Sequence, residues 1–376
     1  MSAVQNVLVV GAGAAGSAVA IALARAGVRV DLIDAAASVN ALGSGITLQG
    51  NALRELRALG VWEACREQGY AFEGLGLRAP DPAGTLIAEI PELRTGGEDL
   101  PATMGMYRPA LAQILIDRAV EVGAQVRFAT RYTAFLQDEA GVHVDFADGT
   151  IGRYDLLVGA DGINSQTRRG LGIDVEPRGI GLGIWRCFGP RPESVTRTDL
   201  IYGGPSYIAG YCPTSEDTLY AYIVEDYQDR SGLSPQEGLE VMRSLAEAYH
   251  GPWDDIRDNL TDASRVHYTR FSTHVLPAPW HRGRVVLIGD AAHTCPPTIA
   301  QGAAQAFEDA AVLADVLVRR DTLDADLWAE FTDRRFARAK AVVDASMQLA
   351  QWQLDHERGD VPGLMRGISQ MLATPA

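Results

Sequence analysis

The chain has 376 residues, of which 47% are hydrophobic and 22% charged, and its formal net charge is −15 at pH 7. This composition is typical of a globular protein of two or three domains, and the negative charge argues against nucleic acid or an anionic membrane surface as the main partner. No apolar run of about 18 residues predicts a membrane span, and scattered cysteines without a Cys-x-x-Cys pair indicate a reduced, cytoplasmic compartment without a zinc ribbon.

The first motif lies at the amino end, where the apolar segment Val7–Val10 runs into three spaced glycines. Gly11 permits a tight turn, Gly13 lets the backbone approach a pyrophosphate, and Gly16 lets a helix pack closely on the strand. The next predicted strand ends at Asp34, which lies 34 − 16 = 18 residues beyond the third glycine, near the ~20 typical of a ribose-binding acid. This context predicts a dinucleotide site, but it does not separate NAD from FAD.

The middle of the chain changes its hydrophobic period. We predict, in chain order, a helix over 51–59, a loop-rich segment over 70–100, a helix over 108–122, strands over 125–128 and 142–146, a hairpin turn at 148–149, and a strand over 154–159 that ends at Asp161-Gly162. From about 178 to 275, apolar and polar residues alternate in aromatic-rich segments, which predicts an antiparallel sheet with one buried face. A long helical region is expected over 326–358.

The segment over 284–297 is the most informative part of the chain. Val285–Ile288 is a predicted buried strand, and Gly289 and Asp290 follow it at once. After a proline-rich turn, a helix opens at Gln301. A carboxylate at a strand end can bind the hydroxyls of a sugar or ribityl chain, and the free N–H groups of a helix start can hold an anion. An ordinary turn with a capping aspartate is the alternative, which the motif at the amino end weakens.

Taken together, these motifs resemble those of the single-component FAD-dependent aromatic monooxygenases, which share the p-hydroxybenzoate hydroxylase fold. The matching segments, in order, are Gly11-Ala-Gly-Ala-Ala-Gly16, Leu42-Gly-Ser-Gly-Ile46, Tyr107-Arg-Pro-Ala-Leu111, Asp155-Leu-Leu-Val-Gly-Ala-Asp-Gly162 and Gly289-Asp-Ala-Ala-His293. The chain departs from the family at Gln49-Gly-Asn51, where Pro-Asn is usual, and at Ala300, where glycine is frequent. Both departures concern the pocket near the flavin ring.

The resemblance implies an α/β fold in which a Rossmann-like FAD-binding domain is interleaved with a mostly antiparallel β-sheet substrate domain, followed by C-terminal helices. We assign residues 1–69, 101–177 and 276–320 to the FAD-binding domain, residues 70–100 and 178–275 to the substrate domain, and residues 321–376 to a C-terminal helical region.

The resemblance also implies a bound, non-covalent FAD. Asp34 would bind the adenosine ribose, Arg108 an FAD phosphate or ribityl oxygen, and Asp290 the ribityl hydroxyls, while the helix start would stabilise negative charge at the flavin N1–C2=O end. For Asp161, a phosphate-shaping role and a plain strand-end turn both remain open. The full cofactor-binding set is Gly11, Gly13, Ala14, Ala15, Gly16, Asp34, Gly45, Arg108, Tyr132, Asp161, Gly289, Asp290, Pro297, Gly302 and Ala303, and no metal ligand is predicted.

The expected reaction follows from this cofactor. Flavin reduced by NADH or NADPH reacts with O2 to give a C4a-hydroperoxide, whose distal oxygen attacks an electron-rich ring, and the protein must keep that intermediate dry. The predicted activity is therefore the hydroxylation of a small aromatic or N-heteroaromatic substrate that already carries a hydroxyl group. We expect the protein to be a monomer or a homodimer.

Candidate substrate residues come from the alternating middle region. Tyr207 and Tyr211 are four residues apart, so in a strand they would share a face, and a phenol can orient and deprotonate a hydroxylated ring. Aromatic stripes in sheets are nevertheless mostly core. Arg186 could hold a substrate carboxylate or form an ion pair. The predicted catalytic set is Tyr207, Tyr211, Arg186 and Thr47, with Tyr222 as a further candidate.

Two other functions remain open: another flavoenzyme of this fold, such as a reductase or halogenase, and a non-enzymatic FAD- or NAD-binding redox module. Flavin halogenases use a Trp-x-Trp segment and an active-site lysine, whereas the tryptophans here are never two apart and Lys340 is the sole lysine. The aromatic-rich middle region argues against a sensor, which needs no substrate chamber. An NAD-dependent dehydrogenase would not need the second motif at Asp290.

Overall fold

The computed structural model describes residues 2–39 and 44–376. Its helices are α1 Ala14–Arg25, α2 Gly50–Leu59, α3 Trp62–Gln68, α4 Arg108–Glu121, α5 Gln166–Gly170, α6 Pro235–Ala246, α7 Pro252–Asp258, α8 Gly302–Arg319, α9 Ala325–Leu354 and α10 Val361–Ala373. Its strands are β1 Asn6–Val10, β2 Arg29–Ile33, β3 Gly45–Gln49, β4 Tyr70–Phe72, β5 Gly74–Arg78, β6 Leu86–Pro91, β7 Thr103–Tyr107, β8 Gln125–Arg127, β9 Tyr132–Asp138, β10 Gly141–Phe146, β11 Ile151–Tyr154, β12 Leu156–Gly159, β13 Arg178–Pro190, β14 Thr198–Tyr202, β15 Ile208–Pro213, β16 Thr218–Asp226, β17 Val266–Val275, β18 His281–Arg282, β19 Val285–Leu287 and β20 His293–Thr294.

A parallel sheet forms the first layer, with strand order β19-β12-β1-β2-β8 and β18 antiparallel on the outer side of β19. Consecutive residues of β1 and β12, such as Leu8 and Val9, are fully buried, because both faces of a parallel sheet are covered. Helix α1 connects β1 to β2 and packs against α4 and α8. The carboxyl ends of the parallel strands therefore meet at one edge.

An eight-stranded sheet forms the second layer, with strand order β20-β17-β13-β16-β15-β14-β5-β6. In β13 and β16, successive side chains point to opposite faces of this sheet. Trp185, Ala221 and Ile223 point to one face and pack against Met242 of α6 and Trp253 of α7, while the residues between them point to the opposite face. That opposite face is the one turned toward β3 and β7.

The small sheet β3-β7-β4 joins the two layers, and glycines decide how closely it approaches. A Cβ atom on Gly45 would lie 1.9 Å from the ring of Tyr220, and one on Gly105 would lie 1.9 Å from the carbonyl oxygen of Pro213. Side chains at these positions would push the sheets apart. The glycines therefore bring Thr47 of β3 against the eight-stranded sheet.

The predicted fold class, an α/β protein with a nucleotide-type sheet, an antiparallel sheet and C-terminal helices, is confirmed. The hairpin turn at Asp148-Gly149 is also present, with Gly149 at φ +85. The loop-rich description of residues 70–100 is wrong, because β5 and β6 form an edge hairpin there. The domain division stays a prediction. None of the helices within the described ranges has the length and apolar character needed to cross a bilayer.

Tyr207 and Tyr211 pack into different clusters. Strand β15 begins at Ile208, so the side-to-side alternation does not extend to Tyr207. Tyr211 is fully buried on the face covered by α6 and α7, and its hydroxyl donates to Asp199 at 2.7 Å. Tyr207 packs on the opposite cluster and donates to Asp226 at 2.7 Å. The expectation of a shared face is therefore wrong, and carboxylates already accept from both hydroxyls.

We expect Tyr211→Phe to act on stability rather than on ligand binding. The substitution removes one hydrogen bond to a buried carboxylate that keeps its ion pair with Arg78 at 2.6 Å. A hydrogen bond to a charged group contributes about 1.5–3 kcal/mol. The free energy of unfolding, measured in urea, should therefore decrease by about that amount. Tyr207→Phe is the matched control, and its half-exposed hydroxyl should contribute less than about 0.5 kcal/mol. Equal losses from both variants would contradict the assignment of Tyr211 to the core.

Candidate functional site

The sequence motifs converge at the carboxyl edge of the parallel sheet. Gly11 follows β1, Asp34 follows β2, Asp161 follows β12 and Gly289 follows β19. These four strands are adjacent and parallel, and ligands of open α/β sheets bind outside the carboxyl ends of the strands. Residues separated by nearly 280 positions thereby line one cleft.

Two glycines of the first motif are required by packing. Gly11 has φ +102, and a Cβ atom there would lie 2.4 Å from the carbonyl oxygen of Ala160. A Cβ atom on Gly16 would lie 1.8 Å from the carbonyl oxygen of Gly11. The turn and the close seating of α1 on the sheet therefore depend on both residues.

The third glycine leaves room for a ligand. Gly13 is exposed, and among the described residues no atom lies within 4 Å of the position of its missing Cβ. Helix α1 begins at Ala14, and in the described part of the chain no side chain caps it and no acid lies in its first turn. The N–H groups of Ala14 and Ala15 are thus left for an anion, as a dinucleotide pyrophosphate requires.

The acids of the neighbouring loops are held by their own backbones. The Asp34 carboxylate accepts from the N–H of Ala12 at 2.8 Å, which ties the end of β2 to the glycine loop. Asp161 accepts from the N–H of Thr167 at 2.9 Å, in the first turn of α5, whose N-cap residue is Ser165. Tyr132 is buried and donates to the Thr167 hydroxyl at 3.3 Å. Asp161 and Tyr132 therefore shape the loop, and their cofactor contacts stay predictions.

The Gly289 turn delivers Asp290 to the same cleft. Gly289 has φ +59, and a Cβ atom on it would lie 2.9 Å from the Cβ of Ala15. Asp290 is accessible to solvent, yet desolvation raises the pKa of its carboxyl, while His293 and Arg108 oppose that rise. This combination is expected of a side chain in a concave part of the surface. Asp290 and Arg108 are also close enough there to interact.

The loop before α8 completes this end of the cleft. Pro297 begins a short 3-10 turn, and Ala300 is left-handed at φ +53, a conformation that explains why glycine is frequent at this position. Helix α8 starts at Gly302, and among the described residues no side chain caps it and no atom lies within 4 Å of the missing Cβ. The N–H groups of Gly302 and Ala303 are therefore available to an electron-rich ring edge. Of the matching segment over 42–46, Leu42 and Gly43 lie outside the described residues.

A polar cluster lies on the face of the eight-stranded sheet that is turned toward β3. Arg108 links it to the cleft, because Arg108 is close enough to interact with both Arg186 of this face and Asp290. The hydroxyls of Thr47 and Tyr220 are 3.0 Å apart, and the Thr47 hydroxyl lies 3.6 Å from Sγ of Cys212. Tyr220 stacks on Tyr222 with ring centroids 5.5 Å apart. Gly210, opposite Tyr222, leaves space for that ring. Two phenols and an alcohol thus form one hydroxyl-lined wall.

Arg186 is the cation of this wall. It belongs to β13, lies opposite Tyr222 of β16, and donates to the Thr269 hydroxyl at 2.6 Å. Desolvation, together with the nearby Arg108, lowers the pKa of Arg186 to about 10. Across residues 2–39 and 44–376, no carboxylate lies within ion-pair distance of Arg186. The alternative of an ion pair is thereby removed, and a guanidinium group is left facing the cleft.

Sequence reasoning missed part of this arrangement. The pairing of Thr47 with Tyr220 joins residues 173 positions apart, and Asp309, which bonds the Gly289 N–H at 2.8 Å, lies inside an unremarkable helix. The alternation of β16 did carry a signal for Tyr220, because Leu219 and Ala221 are the apolar partners of the other face. No comparable signal marked Asp309.

A separate cavity of about 520 Å³ lies between His281, Arg284 and Trp328. Arg284 precedes β19, so this cavity is at the amino-terminal edge of the parallel sheet, opposite the motifs. Ligands of such sheets bind at the other edge. We therefore place the functional site at the cleft and not at this cavity.

Known proteins are similar to this chain in sequence and in architecture. A family model described as FAD binding domain matches residues 5–346. The 6-hydroxynicotinate 3-monooxygenase of Pseudomonas fluorescens is 31% identical over 334 residues, which cover 84% of this chain and 83% of the relative. The 2-heptyl-3-hydroxy-4(1H)-quinolone synthase of Pseudomonas aeruginosa (strain UCBPP-PA14) is 30% identical over 360 residues, covering 93% and 90%. A solved tetrameric form of 2-methyl-3-hydroxypyridine-5-carboxylic acid oxygenase superposes with a TM-score of 0.79 at 25% identity, covering 95% of this chain and 93% of that one.

Replacing Asp290 tests the cleft as the FAD site. Asp290→Ala should remove hydrogen bonds from ribityl hydroxyls to a carboxylate, each worth about 1.5–3 kcal/mol. We expect the affinity for FAD, measured by fluorescence titration of the apoprotein, to fall at least tenfold while the melting temperature of the apoprotein is retained. Asp290→Asn keeps an acceptor oxygen and should give an intermediate affinity. An unchanged affinity in both variants would remove Asp290 from the site.

Proposed function

We propose, from the premise that the chain belongs to the FAD-binding family of flavoprotein monooxygenases, that it hydroxylates a small aromatic or N-heteroaromatic acid that already carries a ring hydroxyl. The co-substrates are O2 and NADH or NADPH. The observation that carries the choice of an acid is Arg186, a cation that faces the cleft without a protein carboxylate in the described part of the chain.

The charge of Arg186 requires a partner. A cation withdrawn from water costs free energy unless it is paired, and Thr269 supplies one neutral acceptor. The planar guanidinium group matches a carboxylate with two parallel hydrogen bonds. By their names, the relative acting on 6-hydroxynicotinate and the structurally similar pyridine carboxylic acid oxygenase use hydroxylated ring acids, which supports an anionic substrate here over a neutral quinolone.

The hydroxyl wall would orient the substrate ring. Burial raises the pKa of Tyr220, so its phenol is neutral near pH 7 and donates a hydrogen bond. With the Thr47 hydroxyl 3.0 Å away, the pair can donate a hydrogen bond to a ring oxyanion and stabilise it. A deprotonated ring hydroxyl makes the neighbouring carbon electron-rich. Thr47 and Tyr220 would therefore activate the ring, while Arg186 fixes its position.

The other cleft residues would hold the cofactor. Bound FAD, once reduced by NAD(P)H, supplies the activation of O2 for oxygen transfer. The N–H groups of Ala14 and Ala15 would bind its pyrophosphate, Asp290 its ribityl hydroxyls, and Gly302 and Ala303 the electron-rich edge of its ring. Arg108, exposed and near Asp290, would neutralise phosphate charge.

The setting of the enzyme is part of the proposal. All four cysteines are free thiols, which supports a reduced, cytoplasmic location. We infer a monomer or a homodimer.

The function is tested by oxygen transfer. FAD-loaded protein should oxidise NADH or NADPH faster when a hydroxylated aromatic acid is added, and mass spectrometry should find one oxygen atom from isotopically labelled O2 in the product. Stimulated oxidation that yields only hydrogen peroxide with every hydroxylated benzoate and pyridine carboxylate tried would contradict the proposed substrate class.

Arg186 is tested with a matched pair of substrates. Arg186→Met keeps the length of the side chain and removes the charge, so the KM of an acid substrate should rise about tenfold or more, the effect of losing a hydrogen bond of about 1.5–3 kcal/mol. The neutral amide of the same acid should be unaffected. Arg178→Met, at an exposed end of the same strand, is the control. Equal losses for acid and amide would show that Arg186 does not recognise the charge.

Tyr220 is tested through coupling. Tyr220→Phe retains the ring against Gly45 and removes the hydroxyl that meets Thr47. We expect the amount of product formed per NAD(P)H to fall and the amount of hydrogen peroxide to rise correspondingly. When the ring is poorly activated, the reduced oxygen is released as hydrogen peroxide and is not transferred to the ring. Tyr211→Phe, on the opposite face, should leave coupling unchanged. Wild-type coupling in Tyr220→Phe would remove this phenol from the reaction.

A further inference from the structure

Two adjacent acids of α8, Glu308 and Asp309, are fully buried. Asp309 accepts from the N–H of Gly289 at 2.8 Å and pairs with Nε2 of His293 at 2.7 Å through one oxygen. Its other oxygen accepts from Nε of Arg335 at 2.7 Å. Asp309 and Arg335 have no solvent exposure, and His293 has 4%. Both bonds from the motif therefore converge on a single buried carboxylate.

Asp309 bonds the start of the segment over 289–302, and Glu308 is connected to its other end, at Gln301. Glu308 accepts from Nδ2 of Asn51 at 3.0 Å, and it pairs with Nη1 of Arg335 at 2.9 Å and Nε of Arg338 at 2.7 Å. The Asn51 amide in turn exchanges hydrogen bonds of 3.0 Å with the side chain of Gln301, the residue just before α8. Gln301 has no exposure either. The start of α8 is thus held by Glu308 through one intermediate side chain.

The buried charges of this network are stable only when each has its partner. Burial alone would raise the pKa of Asp309, but His293 and Arg335 lower it to about 2, and Arg338 and Arg335 likewise keep the pKa of Glu308 below its usual range. Both acids are therefore charged near pH 7. Removing one partner of a buried pair leaves an uncompensated charge. A rigid arrangement with every partner in place is favoured over any loosened one.

We propose that Glu308 and Asp309, neutralised by Arg335 and Arg338 of α9, are positioning residues that fix residues 289–302 from both ends. Asp309 sets the turn from which Asp290 projects, and Glu308 sets the start of α8, where the flavin ring edge would lie. Neither acid touches the cofactor. The inference rests on the proposed placement of FAD in the cleft, and it makes the long helix α9 a support of the flavin site.

The same two helices offer a matched control. Asp315, further along α8, pairs with Arg319 at 2.7 Å and with Arg334 of α9, and it has no bond to the 289–302 segment among the described residues. Asp309→Asn and Asp315→Asn thus remove equal charge from one helix facing the same neighbour. Only the first removes one of the two acceptor oxygens that Gly289, His293 and Arg335 share, so one of these donors then faces an amide nitrogen.

The experiment measures FAD affinity of the apoprotein by fluorescence titration, with the melting temperature recorded beside it. We expect Asp309→Asn to weaken FAD binding at least tenfold and Asp315→Asn to change it less than twofold, even where both lower the melting temperature. An affinity of Asp309→Asn within twofold of the wild type would overturn the proposal. Equal weakening by both variants would also overturn it, because the effect would then be general destabilisation.

Two further variants cover poor folding and separate the two proposals. If Asp309→Asn does not fold, His293→Phe keeps a ring, removes one donor to Asp309 and leaves the Arg335 pair, and it should still weaken FAD binding at least fivefold. Wild-type affinity in His293→Phe would then refute the positioning role. Asp290→Ala is measured in parallel. If it weakens FAD binding and Asp309→Asn does not, only the positioning role fails. If neither does, the placement of FAD fails and the positioning role with it.

Discussion

The carboxyl edge of one parallel sheet is the constraint on which the rest of the molecule depends. Adjacent parallel strands must end on the same side, so β1, β2, β12 and β19 release their following residues into one cleft. Close approaches at glycines hold this edge together: Gly16 lies against the backbone of Gly11, Gly11 against the backbone of Ala160, and Gly289 against the Cβ of Ala15. A side chain at these glycines would separate the helix from the sheet. The cleft therefore depends on the absence of side chains at these glycines, and charged residues such as Asp290 are placed by the turns that the glycines permit.

In the eight-stranded sheet, successive side chains of a strand point to opposite faces, and the two faces serve different purposes. On β13 and β16, Trp185 and Ala221 face α6 and α7, whereas Arg186 and Tyr220 face the cleft. One face is a mostly apolar core in which Tyr211 and Asp199 bond each other, and the other is a wall that carries a cation and phenols. Gly45 and Gly105 bring this wall within hydrogen-bond distance of β3, and Gly210 leaves room for the ring of Tyr222. Recognition of a substrate and closure of the fold thus use opposite sides of the same strands.

The sequence was informative where a short motif fixes its own geometry. The glycine loop, the Asp290 turn and the start of α8 were predicted because local spacing alone specifies a strand end or a helix start. The prediction that Tyr207 and Tyr211 share a face of one strand was wrong. The alternation of side chains holds only within a strand, and β15 begins at Ile208, one residue after Tyr207. The strands over 74–91 were hidden by prolines and glycines that also mark loops. Asp309 and Arg335 lie 26 positions apart on different helices, so no local pattern could pair them.

A crystal structure of the FAD-loaded protein with a hydroxylated aromatic acid tests the central claim most directly, since the account places cofactor and acid in one cleft with separate partners. It predicts the pyrophosphate at the N–H groups of Ala14 and Ala15, the ribityl chain at Asp290, and the substrate carboxylate on Arg186 with the ring hydroxyl near Tyr220. A carboxylate bound elsewhere, with Arg186 still bonded to Thr269 alone, would contradict the account of the substrate. FAD bound away from the carboxyl edge of the parallel sheet would contradict the account as a whole.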